Sequence, residues 1–144
     1  MANQAFEMKI TGVEQTLKTF RNYFDDVDIS PFIIDAMTSI GKVVEVEAKL
    51  LLNEKIYNTP QKGGYVRTGL LRARTTGDNG KAQGSDKVAV VVRSQQYYAV
   101  YIEFGIRNMQ PRAFLLPAAQ AKSDEALQIL NKALDKFLRA KVVK

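Results

Sequence analysis

One run of sequence dominates what this chain can fold into. From Ser30-Pro31 to about Lys55, apolar residues recur at Ile33, Ile34, Met37, Ile40, Val44, Leu51 and Leu52 with helical period. Serine is a favoured N-cap and proline a favoured first helical residue, so the start is marked as well. At about 1.5 Å per residue the predicted helix is roughly 37 Å long. A compact globule of 144 residues is about that wide. Every other element has to pack around this helix.

The flanking pattern supplies a small sheet and further helices. Phe6-Glu7-Met8-Lys9-Ile10 alternates like a half-buried strand, Gly12 breaks it, and apolar residues at 13, 17, 20 and 24 predict a helix over Val13–Phe24. Asn58 to Gly69, with Pro60 and Gly63-Gly64, reads as an exposed loop. Leu70–Thr76 reads as a strand, and Lys87–Arg93, with its valine run, is the clearest strand of all. Gly77-Asp78-Asn79-Gly80 between them supplies turn chemistry, so 70–93 is expected to form an antiparallel hairpin with a long basic tip. Gln96–Phe104 is aromatic-rich. It is either a helix, with Tyr98, Tyr101 and Ile102 on one side, or an alternating strand. Pro111 and Pro117 bracket a segment expected to be extended or irregular, and Ala118–Arg139 has the spacing of an amphipathic terminal helix with basic residues in its last turn. The expected fold is one α+β domain over residues 1–144: a small antiparallel sheet, a long central helix and a C-terminal amphipathic helix.

Composition narrows the chemistry. The chain has no cysteine and no histidine, which removes thiol nucleophiles, disulfides, cysteine-based metal sites and the commonest general base. No apolar run approaches the ~18–20 residues of a membrane span, and the first residues lack the pattern of a signal peptide. A protein made in a cytoplasm, without enzymatic activity, cofactor or membrane, is expected. The net charge of +6 is uneven. Residues 1–61 carry 6 basic and 9 acidic groups, a net of −3, whereas 62–93 carry 7 and 2 and 107–144 carry 8 and 3, a net of +5 each. Two surfaces of opposite sign suit head-to-tail pairing of copies, or one face turned to nucleic acid; the plainer alternative is solvated faces with no partner.

Candidate sites are few. Asp25, Asp26 and Asp28 could ligate a hard cation, but they lack the glycine and distal glutamate of a calcium loop and are ordinary before a helix. No catalytic or metal site is expected. Arg67, Arg72, Arg74, Lys81, Lys87 and Arg93, with Tyr65 nearby, are the best case for contact with a phosphate backbone, although no base-reading motif accompanies them and basic loops also mediate protein contacts. Glu103 is the sole acid between Asp86 and Asp124 and sits among Tyr97, Tyr98, Tyr101 and Phe104. Burial there demands a partner, for which Arg72 and Arg112 are candidates.

Three stretches occur in a recognisable order: Thr68-Gly69-x-Leu71-Arg72 after Pro60, Tyr98-Ala99-x-x-x-Glu103-Phe104-Gly105, and Pro111-x-x-Phe114-Leu115-x-Pro117-Ala118. With the strand-Gly12-helix before them, they resemble the small neck or tail-completion proteins of long-tailed bacteriophages, also described as head–tail joining or minor tail proteins. Two positions depart from that pattern, Ile106 where threonine often follows the Glu-Phe-Gly and Ala113 where a proline commonly precedes the Phe. The resemblance implies a non-enzymatic virion component at the neck or upper end of the tail, made in the host cytoplasm. It implies a hexameric ring of identical subunits closing the portal–tail junction, with viral DNA passing through the lumen. Its implied neighbours are a tail terminator or tail-tube protein and head-completion or connector proteins. In that setting Gly69 and Gly105 would allow special backbone conformations, Phe114 and Leu115 would anchor a rigid segment, and Glu103 would hold the junction through a basic partner. Arg67, Arg74, Lys81, Lys87 and Arg93 would face a neighbour or DNA. Six globules of this size in a closed ring would leave a hole of roughly 35 Å, wide enough for a duplex. The alternative is a small basic nucleic-acid-binding protein using the 65–93 hairpin.

Overall fold

The computed structural model describes residues 6–10, 30–58, 68–82 and 88–142. The expected helix over 13–24, the Asp25–Asp28 cluster, most of the 58–69 loop, Tyr65, Arg67 and Lys87 lie outside the described residues. In chain order the elements are β1 (Phe6–Ile10), α1 (Ser30–Leu52), a π-helical turn (Asn53–Tyr57), α2 (Leu70–Ala73), β2 (Thr75–Gly77), β3 (Lys81–Ala82), β4 (Val88–Ser94), α3 (Ala99–Phe104), α4 (Leu115–Ala121) and α5 (Ser123–Val142). The architecture is α+β, with the long helix at its centre as the sequence predicts.

Helix α1 buries Ile33, Met37, Ile40, Val44, Ala48 and Leu52, one apolar position per turn. The sheet lies on one flank, and α4 and α5 lie on another. Phe137 of α5 is buried and meets Phe32 edge-to-face, with ring centroids 5.5 Å apart. The sheet is antiparallel around β4, whose Val88, Val90 and Val92 are buried. β1 pairs along β4 from Phe6↔Ser94 to Ile10↔Val90. β2 pairs from Thr75↔Ser94 to Gly77↔Val92, and β3 continues with Lys81↔Ala89 and Ala82↔Val88.

The hairpin differs from the sequence reading in two places. Leu70–Ala73 is one turn of helix rather than strand, and the strand begins at Thr75. The buried Thr75 hydroxyl donates to the Leu71 carbonyl at 2.7 Å, a bond that needs the four-residue return of a helical turn. The Gly77-Asp78-Asn79-Gly80 stretch is not the hairpin's tip. Between Gly77↔Val92 and Lys81↔Ala89 the register gains one residue, the mark of a β-bulge, and pairing with β4 resumes beyond it. The bulge presses on α1: Gly80 N–H donates to Thr38 Oγ1 at 2.8 Å, and a Cβ on Gly77 would stand 2.6 Å from the Gly41 carbonyl oxygen. Glu45 and Lys42 of α1 reach the same crossing, Glu45 Oε2 accepting from Gly77 N–H and Lys42 Nζ donating to Gly77 O, each at 2.8 Å.

Toward the C-terminus, 99–104 takes the helical alternative. Tyr98 and Ile102 pack on the core as expected, but Tyr101 is turned out. The Pro111–Pro117 segment is not extended throughout, because helix begins at Leu115 and includes Pro117. The predicted terminal helix is two helices broken at Lys122.

Candidate functional site

The three motifs meet around the end of α1, and one carboxylate joins two of them. Glu103, on α3, is 4% exposed. Its Oε2 accepts the backbone N–H groups of Phe114 and Leu115 at 2.8 and 3.0 Å, and its Oε1 accepts that of Leu116 at 3.1 Å. A helix start leaves its first N–H groups without intrahelical partners. Here Glu103 takes three of them, and Pro117, next in line, has no N–H to satisfy. The next donor, Ala118 N–H, already bonds Phe114 O at 3.3 Å. The start of α4 is fully accounted for, and a negative charge at a helix N-terminus is favourable.

This corrects the expected basic partner. Arg112 is exposed, and its backbone N–H, not its side chain, ties this segment to α3 by donating to Ile102 O at 2.7 Å. Arg72 is engaged elsewhere. Its Nη1 donates to Asn53 Oδ1 at 2.6 Å, its backbone N–H donates to Tyr57 Oη at 3.3 Å, and its guanidinium lies 5.1 Å from the Tyr57 ring centroid.

Local backbone geometry delivers Phe114 to Glu103. Gly105 follows α3 with φ +77°, where a Cβ would stand 2.8 Å from Met109 O. The chain then doubles back through an Ile106↔Met109 bridge closed by N–H···O bonds of 3.1 and 2.9 Å. Gly69 (φ +74°) performs the matching service before α2, placing Leu71 in the core. Thr68 Oγ1 accepts Leu70 N–H at 3.4 Å. Phe114, Leu115, Ala118 and Ala99 are buried, Tyr98 and Pro117 half-buried, and Phe104 and Pro111 exposed.

Sequence reasoning missed the π-helical turn as the hub. Asn53 and Tyr57 hold Arg72, and Lys55 Nζ donates to the Ala113 carbonyl at 2.6 Å. A small cavity of about 250 Å³ lies where Ile56 and Tyr57 meet Thr68, Gly69, Tyr98 and Ile102. The available signal was Ile56-Tyr57 continuing the apolar period past Leu52, four residues on.

Among the described residues the basic candidates are not gathered into one site. Arg93 is half-buried and ion-paired with Asp78, while Arg74 and Lys81 are exposed at opposite ends of the β2–β3 edge. Among the described residues no group of three or more potential metal-ligating His, Cys, Asp or Glu side chains occurs, and no helix is long and apolar enough to cross a membrane. Chemically, the arrangement is a junction that fixes loop and helix positions.

The model of a family described as "Bacteriophage HK97-gp10, putative tail-component" matches residues 14–105. The match covers α1 and the first two motifs and ends on Gly105, so the 111–118 motif lies beyond it. No curated protein and no solved structure matches the chain.

Proposed function

The chain belongs to the HK97-gp10-like family of bacteriophage tail components, and on that premise we propose that it is a tail-completion or head–tail joining protein of a long-tailed phage. It acts as a single domain of 144 residues and assembles as a ring at the portal–tail junction, through which DNA passes. Its neighbours are further copies of itself, a tail terminator or tail-tube protein, and head-completion or connector proteins. The family match carries this reading, and the Glu103 junction supports it. Binding energy within the subunit goes into fixing the α3–α4 surface, which suits a part that must present the same face in every copy. The opposite signs of the acidic first third and the basic remainder suit the heterologous contacts of a ring.

Electron microscopy of assembled particles at side-chain resolution tests it. The expected result is density for this chain as a closed ring at the upper end of the tail. Finding the chain along the length of the tail, or absent from particles, overturns it. The alternative, a nucleic-acid-binding protein using the 65–93 hairpin, is less well supported, because Arg93 and Arg72 are already engaged within the subunit. Retardation of duplex DNA at ~150 mM salt with a steep salt dependence would favour that alternative instead.

A further inference from the structure

Five of the ten large apolar side chains exposed among the described residues belong to one region: Tyr97, Tyr101, Phe104, Ile106 and Leu116. Tyr101 and Phe104 are three apart on one face of α3, Tyr97 lies in the turn just before that helix, and Ile106 comes directly after Gly105. Leu116 is held against α3 by the bond from its N–H to Glu103. Tyr97 is 73% exposed and Phe104 65%. Together the five expose several hundred Å² of largely apolar surface to water. One partner contributes about 800 Å² to a standard protein interface.

The rim of this patch is cationic. Arg107 and Arg112 are exposed, and the one acid between Asp86 and Asp124 is Glu103, which is buried and committed to α4. A mainly polar cleft of about 390 Å³ opens beside it, walled by Asn108 and Gln110 as well as Phe104, Ile106, Arg107 and Met109. An occupant should therefore offer apolar side chains to the aromatic patch and a carboxylate to its arginines. The outer face of α1 and the π-helical turn after it carry that combination. Val46 and Leu50, 58% and 55% exposed, stand one turn apart on the side away from the core, and exposed Glu54 follows one turn later. Side chains at such spacing are about 6 Å apart.

We propose that the aromatic patch of one subunit docks, in a second copy, on the surface made by Val46 and Leu50 of α1 and Glu54 of the π-helical turn that follows it. Leu50 packs against Phe104 and Ile106, and Glu54 meets Arg107. The two surfaces differ, so the contact is heterologous and runs head to tail, the kind that closes into a ring. This rests on the ring reading above and names where its subunits meet.

The absence of native cysteine makes the test direct. Full-length chains carrying Leu50→Cys and chains carrying Ile106→Cys are oxidised separately and mixed, with light scattering and negative-stain imaging to follow assembly. The expected result is a disulfide-linked dimer in the mixture and none in either chain alone. Arg107→Glu should raise the concentration at the midpoint of assembly about tenfold, and adding Glu54→Arg should restore it. Rings that form without the cross-link and are indifferent to Arg107→Glu overturn this interface and leave the ring standing. Neither assembly nor cross-link overturns both. Self-linking of either single-cysteine chain means a two-fold contact and overturns the head-to-tail pairing. Binding of a single-stranded oligonucleotide that Phe104→Ala abolishes would make the patch a base-stacking platform and overturn the proposal as well.

Discussion

Two glutamates pin this molecule at two places, and they do so by different means. Glu103 takes three backbone N–H groups and, among the described residues, no cation, whereas Glu45 takes one, from Gly77, with Lys49 Nζ at 2.8 Å and Lys42 Nζ at 3.4 Å around it. Glu103 is sealed beneath α3 and α4. Glu45 sits at the edge of the α1–β2 crossing, within reach of water. Backbone donors cannot swing away or be screened, so the first pin fixes a shape that other subunits can rely on. The second holds a crossing that close Gly41–Gly77 packing already defines, and ammonium groups on flexible stems tie it loosely. The rigid pin supports the aromatic surface proposed to meet the next subunit.

Removing Glu103 should have the largest effect. Glu103→Ala strands three N–H groups at a helix start and empties a buried site, at a cost of about 3–4 kcal/mol. Glu103→Gln keeps one acceptor oxygen but turns an NH2 group toward a backbone donor, so it should cost roughly half as much. Urea unfolding monitored by circular dichroism gives both values. The Glu103→Ala loss should be nearly the same at low and high salt, since no exposed ion pair is broken. Equal stability of Glu103→Ala and the parent would mean that the cap is not what fixes α4.

The contrast also explains what could be read in advance. α1 was legible because its apolar period runs for six turns and only a helix satisfies it. Leu70–Ala73 was not, because four residues fit both the strand and the helix period, and the choice is made by the Thr75 hydroxyl and by Gly69. Glu103 was recognisable as an acid needing a partner, but a search among side chains finds only arginines. Its true partners are main-chain groups, and their one trace in the sequence is Pro117, the residue in the first turn of α4 that needs none. The hub at Asn53–Tyr57 was hidden for a related reason. It acts by holding Arg72 and Ala113, which are distant in sequence.

An intermediate effect is expected at Gly105, the hinge that carries the chain from α3 back to Glu103. Gly105→Ala forces a side chain onto φ +77° and sets its Cβ 2.8 Å from Met109 O and 2.9 Å from Pro111 N, both backbone atoms. The cost should be about 2 kcal/mol. If the loop exists to aim Phe114 at the carboxylate, the losses from Gly105→Ala and Glu103→Ala should add to clearly less than their sum in the double variant. Full additivity would separate hinge from cap.

Glu45 should give the smallest effect and the one most dependent on conditions. Burial by itself raises its pKa, but the hydrogen bonds from Lys49 and Gly77 N–H, with the charges of Lys49 and Lys42, outweigh burial and hold it below the ordinary 4.5. A carboxyl with a lowered folded pKa binds fewer protons folded than unfolded. Its contribution is therefore complete above about pH 4.5 and is lost as pH falls through the lower folded value. Glu45→Gln should cost about 1 kcal/mol at neutral pH and low salt, less at ~1 M salt, and little below the folded pKa, where the parent carboxyl is itself protonated. Acid unfolding curves of parent and variant should converge toward low pH. If they stay parallel, Glu45 acts through shape alone, and the two pins are of one kind after all.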